Sequence, residues 1–143
     1  MLLQWNDRFA TGMVEADYEH RKLIDLINGV HARWLKDGRS DSPLFFERLF
    51  NILLSHFAIE DGLMNEMGHY ALRESHEDDH NKVLGELRTI VARADSDGYD
   101  FAPALSQCLD HWLSSHIQTH DVSMHKALRL SRSAGTEEWM RGE

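Results

Sequence analysis

Apolar residues recur along this chain at intervals of three and four, the spacing that lines one face of an α-helix. Leu23, Ile24, Ile27, Val30 and Trp34 form the first stripe, and Gly38 is a plausible stop after it. Ser40-Asp41-Ser42-Pro43 reads as a helix cap followed by proline at an early helical position. A second stripe runs Phe46, Leu49, Leu53, His56, Glu60, Leu63, Met67, and Gly68 ends it. The third carries Leu72, His76, His80, Val83, Leu87 and Ile90, followed by the turn cluster Asp95-Ser96-Asp97-Gly98. The fourth starts near Pro103 and has a broad face. Leu105, Leu109, Trp112 and His116 make one row; Leu113, Ile117, Asp121, Met124 and Leu128 make the next. No segment alternates apolar and polar residues long enough for a strand.

The pattern predicts an all-α fold, an up-down-up-down antiparallel four-helix bundle with an N-terminal arm. The arm covers about 1–16 and the helices about 17–37, 43–67, 70–94 and 103–130, within one domain spanning 1–143. The tail from Ser131 to Glu143 is expected to be too short for a second domain.

Seven positions on these stripes are polar where the period calls for apolar side chains: His20, His56, Glu60, His76, His80, His116 and Asp121. Each helix contributes at least one. His56 and Glu60 are four apart, as are His76 and His80, so each pair shares a face one turn apart. Both pairs sit near the junction of the second and third helices. His20 begins the first helix and His116 to Asp121 lie late in the fourth. Antiparallel packing therefore allows all seven to meet in one layer.

Composition sharpens this. Fifteen Lys plus Arg against 24 Asp plus Glu give a formal charge of −9, which disfavours nucleic acid and anionic membrane surfaces as partners. No apolar run approaches the roughly 18 residues of a membrane-spanning helix. The N-terminal residues lack the basic stretch of a signal peptide. One cysteine, Cys108, excludes an internal disulfide or a CxxC motif and fits a reducing, cytoplasmic compartment. Ten histidines in 143 residues are the unusual count, and five of them fall in the layer.

Five imidazoles and two carboxylates in a core would cost several kcal/mol per uncompensated charge. Bound cations remove that cost. Imidazole and carboxylate without thiolate suit iron, manganese or zinc. Seven ligands exceed one ordinary metal and point to two. If both carboxylates bridge, five nitrogens and four oxygens supply nine bonds and a bridging solvent oxygen two more. Two octahedral metals offer twelve positions, so one stays open, suited to a small diatomic ligand.

These residues resemble the hemerythrin family, in particular its bacterial branch. That pattern is a lone His on the first helix, HxxxE on the second, HxxxH on the third and HxxxxD on the fourth. Here they read Asp17-Tyr18-Glu19-His20, His56 to Glu60, His76 to His80 and His116 to Asp121, with Trp5 and Gly12 in the preceding arm. Tyr70-Ala71 stands where the family usually has Tyr-Pro, which affects a helix start and no ligand. The resemblance implies a non-haem di-iron centre with a bridging oxo or hydroxo group that binds dioxygen reversibly. His76, His80 and His116 would hold one iron, and His20 and His56 the other, which keeps the open position. Glu60 and Asp121 would bridge. Trp112 and Leu113 match the apolar residues lining the family's oxygen pocket.

An oxygen carrier, storage or delivery protein without enzymatic activity is thus expected. The alternative is a module sensing oxygen, nitric oxide or redox state. A di-iron oxidase or peroxidase is disfavoured because its two Glu-x-x-His spellings here, Glu66 to His69 and Glu77 to His80, lie eleven residues apart across one turn, and because the layer is rich in histidine rather than carboxylate. The remaining histidines fall elsewhere. His120 competes as a ligand by its spacing from His116; His31 belongs at the other end of the bundle; His69 precedes the third helix; His111 and His125 read as surface or edge residues. Cys108 reads as a buried small side chain. Glu74, Glu77, Asp78 and Asp79 read as a solvated face.

Overall fold

A computed structural model describes residues 1–94, 96 and 98–141, with side chains through residue 134. Asp95 and Asp97 of the expected turn, and the last two residues of the expected domain, lie outside the described residues. Among the described residues there is no strand. α1 covers Val14–Lys36, α2 Ser42–Met67, α3 Arg73–Arg93, α4 Ala102–His116 and α5 Val122–Arg141. A π-helical turn, Ile117–Asp121, joins α4 to α5 in one continuous rod. The chain is an antiparallel four-helix bundle, with α1 packed on α2, α3 on α4, and α2 on both α3 and α5.

Local chemistry sets the helix ends. Asp41 caps α2 by accepting the Leu44 N–H at 3.1 Å, and Pro43 follows within the first turn. Gly68 closes α2 at φ +76°, where a side chain would be strained. α1 begins three residues before the position its apolar period suggested, because Thr11 and Gly12 are tied to it. Asp17 accepts the Thr11 N–H and hydroxyl, both at 2.7 Å, and the Gly12 N–H at 3.2 Å. The arm preceding α1 is fastened along its length. Asn28 of α1 exchanges hydrogen bonds with the Leu3 main chain at 2.8 and 2.7 Å. Ser106 of α4 donates to the Leu2 carbonyl at 2.7 Å, and Gln118 donates to the Arg8 and Ala10 carbonyls.

The main core contains Leu23, Ile27, Leu49, Leu53, Val83, Leu87, Leu105, Leu109 and Leu113, with Leu2, Leu3 and Phe9 of the arm sealing its flank. Beyond Glu60 the α2 stripe turns. Met64 is fully buried, while Leu63 and Met67 are only half-buried. Met13, Ala16, Met64, Met124 and Leu128 are buried outside the main core. Each lies beyond a polar residue of the expected layer: Ala16 before His20, Met64 after Glu60, Met124 after Asp121. Buried apolar residues therefore continue past the polar layer toward that end of the bundle. No described helix is long and apolar enough to cross a membrane.

Candidate metal centre

The structure brings His20, His56, Glu60, His76, His80, His116 and Asp121 together, all buried. α1 supplies His20, α2 His56 and Glu60, α3 His76 and His80. His116 closes α4, and Asp121 closes the π turn. That turn is what makes the last pair meet. On an α-helix a residue five positions on points about 140° away, since each residue turns about 100°. One extra residue in the turn brings Asp121 Oδ1 to 3.0 Å from His116 Nε2. The two rows expected on the fourth helix thus merge at this point.

Glu60 and Asp121 each divide their oxygens between two sets of histidines. Glu60 Oε2 lies 2.8 Å from His76 Nε2 and 2.6 Å from His80 Nε2, with His116 Nε2 at 3.6 Å. Its other oxygen, Oε1, lies 3.1 Å from His56 Nε2. Asp121 Oδ1 faces His116 and His76, at 3.0 and 3.4 Å, whereas Oδ2 lies 2.9 Å from His20 Nε2. Two clusters result, Glu60 with His76, His80 and His116, and Glu60 with His20, His56 and Asp121. Within each, the candidate ligand atoms lie within 4.8 Å of one another.

Several of these approaches are close without being hydrogen bonds. Glu60 Oε1, both Asp121 oxygens and His56 Nε2 have no partner with hydrogen-bond geometry. Buried polar atoms normally find such partners. Donor atoms gathered within 4.8 Å of one another, with misdirected mutual contacts, are what a donor set built around cations presents. All five histidines direct Nε2 inward, and all donors are nitrogen or oxygen, so the set fits iron.

The electrostatics agree. Burial alone would raise the Glu60 carboxyl, but His116, His56, His76 and His80 around it hold it well below the ordinary range. Burial and Glu60 both push Asp121 upward, and His116 and His20 outweigh them. Burial would lower His116; the Asp121 carboxylate first, then Asp79 and Glu60, raise it well above the ordinary histidine value. The carboxylates are thus held ionised, ready for cations.

An aromatic wall stands beside the first cluster. Phe57 stacks on His80 with ring centres 3.9 Å apart, and Trp112 stacks on His116 at 4.6 Å. Phe57 meets Trp112 edge-on at 5.6 Å. Leu113 is buried in the adjoining core. On the other side, a cleft of about 270 Å³ between α1 and α2, lined in part by Leu23, Leu26, Ile52 and Ile59, reaches His56.

Some residues differ from their sequence reading. Asp79, expected on a solvated face, turns to α4 and accepts from His116 Nδ1 at 2.7 Å. A negative residue inside an acidic run gives no sign of this. Phe57 was hidden because it lies beside, not on, the expected α2 seam. His125 is buried rather than at the surface, whereas His69 and His111 are exposed. His31 is buried at the far end beside Trp34 and Phe45. His120 lies 4.0 Å from Asp79, and its ring is 5.3 Å from that of His116. It joins those two in a third, outer group and neither of the inner ones. Cys108 is half-buried, its thiol 3.4 Å from Glu86 and its pKa pushed up to about 12 by burial and that carboxylate.

Comparison with known proteins agrees with this geometry. A bacteriohemerythrin of Pseudomonas aeruginosa is 29% identical over 133 residues, covering 92% of this chain and 84% of that protein. One from Stenotrophomonas maltophilia is 28% identical over 120 residues, covering 84% and 77%. A hemerythrin-like protein of Naegleria fowleri is 24% identical over 118 residues, covering 82% and 87%. No solved structure gives a significant match. The family model described as Hemerythrin HHE cation binding domain matches residues 11–128. That span takes in α1 to α4, the π turn, the first part of α5 and every residue of the polar layer, and the chain belongs to the hemerythrin family.

Proposed function

We propose that this chain binds dioxygen reversibly at a non-haem di-iron centre, as a carrier, storage or delivery protein. The observation carrying this reading is the division of both carboxylates between two histidine sets. In this reading His76, His80 and His116 would hold one iron, His20 and His56 the other, and Glu60 and Asp121 would be shared by both. Three imidazoles against two would leave an open position on the His20–His56 side, and the cleft between α1 and α2 reaches His56. Two ferrous ions would supply the two electrons that dioxygen draws on when it binds and returns when it leaves.

The chain's part is to hold and to shield. Phe57, Trp112 and Leu113 exclude water on one flank, and Met64 and Met124, both fully buried, lie one turn beyond Glu60 and Asp121. A dry site disfavours loss of reduced oxygen species to solvent. Seven donors that include five imidazoles favour binding over oxygen activation, for which carboxylate-rich helices are the usual design. We accordingly read the chain as a non-enzymatic single domain over residues 1–143, acting in a reducing cytoplasm on a diatomic ligand rather than on nucleic acid.

The test is to load the protein with Fe(II) under argon and record its visible spectrum through cycles of air and argon. A coloured form that appears in air, bleaches under argon and returns is the expected result. Colour that persists irreversibly after one exposure, or sustained oxygen consumption with a reductant present, would overturn the carrier reading.

A further inference from the structure

The imidazoles of the layer are not treated alike at their outer nitrogens. Nδ1 of His20 and of His76 has no hydrogen-bond partner. Nδ1 of His116 donates to Asp79 Oδ2 at 2.7 Å. Asp79 also holds this ring from a second direction. Its main-chain carbonyl accepts the Trp112 indole N–H at 3.2 Å, and that indole stacks on the same imidazole with planes 21° apart. One α3 residue therefore fixes both the edge and, through Trp112, the face of an α4 histidine. His120, at 4.0 Å, is too far to take the carboxylate away.

We propose that Asp79 is a positioning residue that makes His116 the most strongly donating imidazole of the layer and biases its half of the centre toward the oxidised state. This rests on the di-iron reading above. A carboxylate accepting Nδ1–H fixes the tautomer that leaves the Nε2 lone pair facing inward. It also raises the electron density that the nitrogen offers, which favours the ferric over the ferrous ion. His20, on the opposite side, has no such partner, so the two halves are unequal in donor strength.

Asp79→Asn keeps an acceptor oxygen and loses the charge; Asp79→Ala loses both; Asp79→Glu keeps the charge. With excess Fe(II), the Asn variant is expected to fold and take up the wild-type iron complement. Its ratio of oxidised to reduced centres at a fixed potential should fall about tenfold, a shift of about 59 mV for one electron. Iron should also leave roughly 10–100-fold more readily at one position. The Glu variant should recover most of the ratio, which a purely structural role would not produce. A full iron complement with a wild-type ratio in the Asn variant would overturn the proposal.

Proton NMR of the iron-free protein separates this failure from that of the di-iron reading. A low-field His116 ring proton, lost in Asp79→Ala, reports the hydrogen bond without any metal. If it is missing from the wild type, the proposal falls and the di-iron reading stands. If it is present while the wild type holds fewer than two irons, the di-iron reading falls and takes the proposal with it.

Discussion

At one end of the bundle Trp34, Phe45, Phe46 and Phe101 fill the space between the helices, with ring centres 4.8 to 5.8 Å apart. About 21 Å along α1, at 1.5 Å per residue, His20 enters a space of the same kind filled by imidazoles and carboxylates. The helices and their packing are continuous between the two ends; the chemistry is opposite. Each buried aromatic ring contributes about 1.5–3 kcal/mol by leaving water. Each buried ion costs several kcal/mol until it is paired. The aromatic end is stabilised by itself, whereas the polar end depends on what it holds.

That contrast can be broken from either side. The largest effect is expected from Phe45→Ala, which empties a fully enclosed site between Trp34, Phe46 and Phe101. It should cost about 3–5 kcal/mol in urea unfolding and leave the iron content of the folded fraction unchanged. Next comes metal itself. Fe(II) at a hundred times its dissociation constant should stabilise the protein by about 2.7 kcal/mol. A chelator should remove that gain, and His76→Ala should abolish most of it, while Phe45→Ala should retain it.

A smaller effect belongs to Asp17, which ties the arm to α1. Its hydrogen bonds from Thr11 and Gly12 overcome a burial penalty and hold its carboxyl below the usual 3.8. A depressed carboxyl stabilises the fold above its unfolded pKa, and the gain is lost as pH falls through the folded value. Asp17→Asn should therefore cost about 1 kcal/mol at neutral pH, with the difference from wild type closing below about pH 4.

The smallest effect lies at the aromatic end. Burial, the N-terminal amine and Arg39 lower the pKa of His31, and neither of its ring nitrogens has a hydrogen-bond partner. A histidine held neutral loses stability as pH falls below the ordinary 6.5, because only the unfolded chain is free to take the proton. His31→Leu should flatten the stability curve on that acidic side.

Much of this was legible in the sequence because a polar residue on an apolar stripe is a conflict visible without coordinates. His56, Glu60, His76, His80, His116 and Asp121 all announced themselves in that way. The features that escaped leave no such mark. The π turn inserts one residue, and no residue type from Ile117 to Asp121 signals an insertion. Asp79 is polar among polar neighbours, so its partnership with His116 depends on how α3 and α4 are set side by side. Phe57 was passed over because it lies beside the expected α2 seam, and Met64 because the buried face of α2 turns beyond Glu60. Periodicity describes one helix at a time, and these are facts about pairs.

The most direct measurement is the number of irons held per chain after anaerobic loading and removal of excess metal, for the wild type and for Glu60→Ala. Glu60 is common to both clusters. Two irons in the wild type, with both lost or loosened together in the variant, are expected. One iron in the wild type, or two in the variant with unchanged affinity, would contradict a shared two-metal layer.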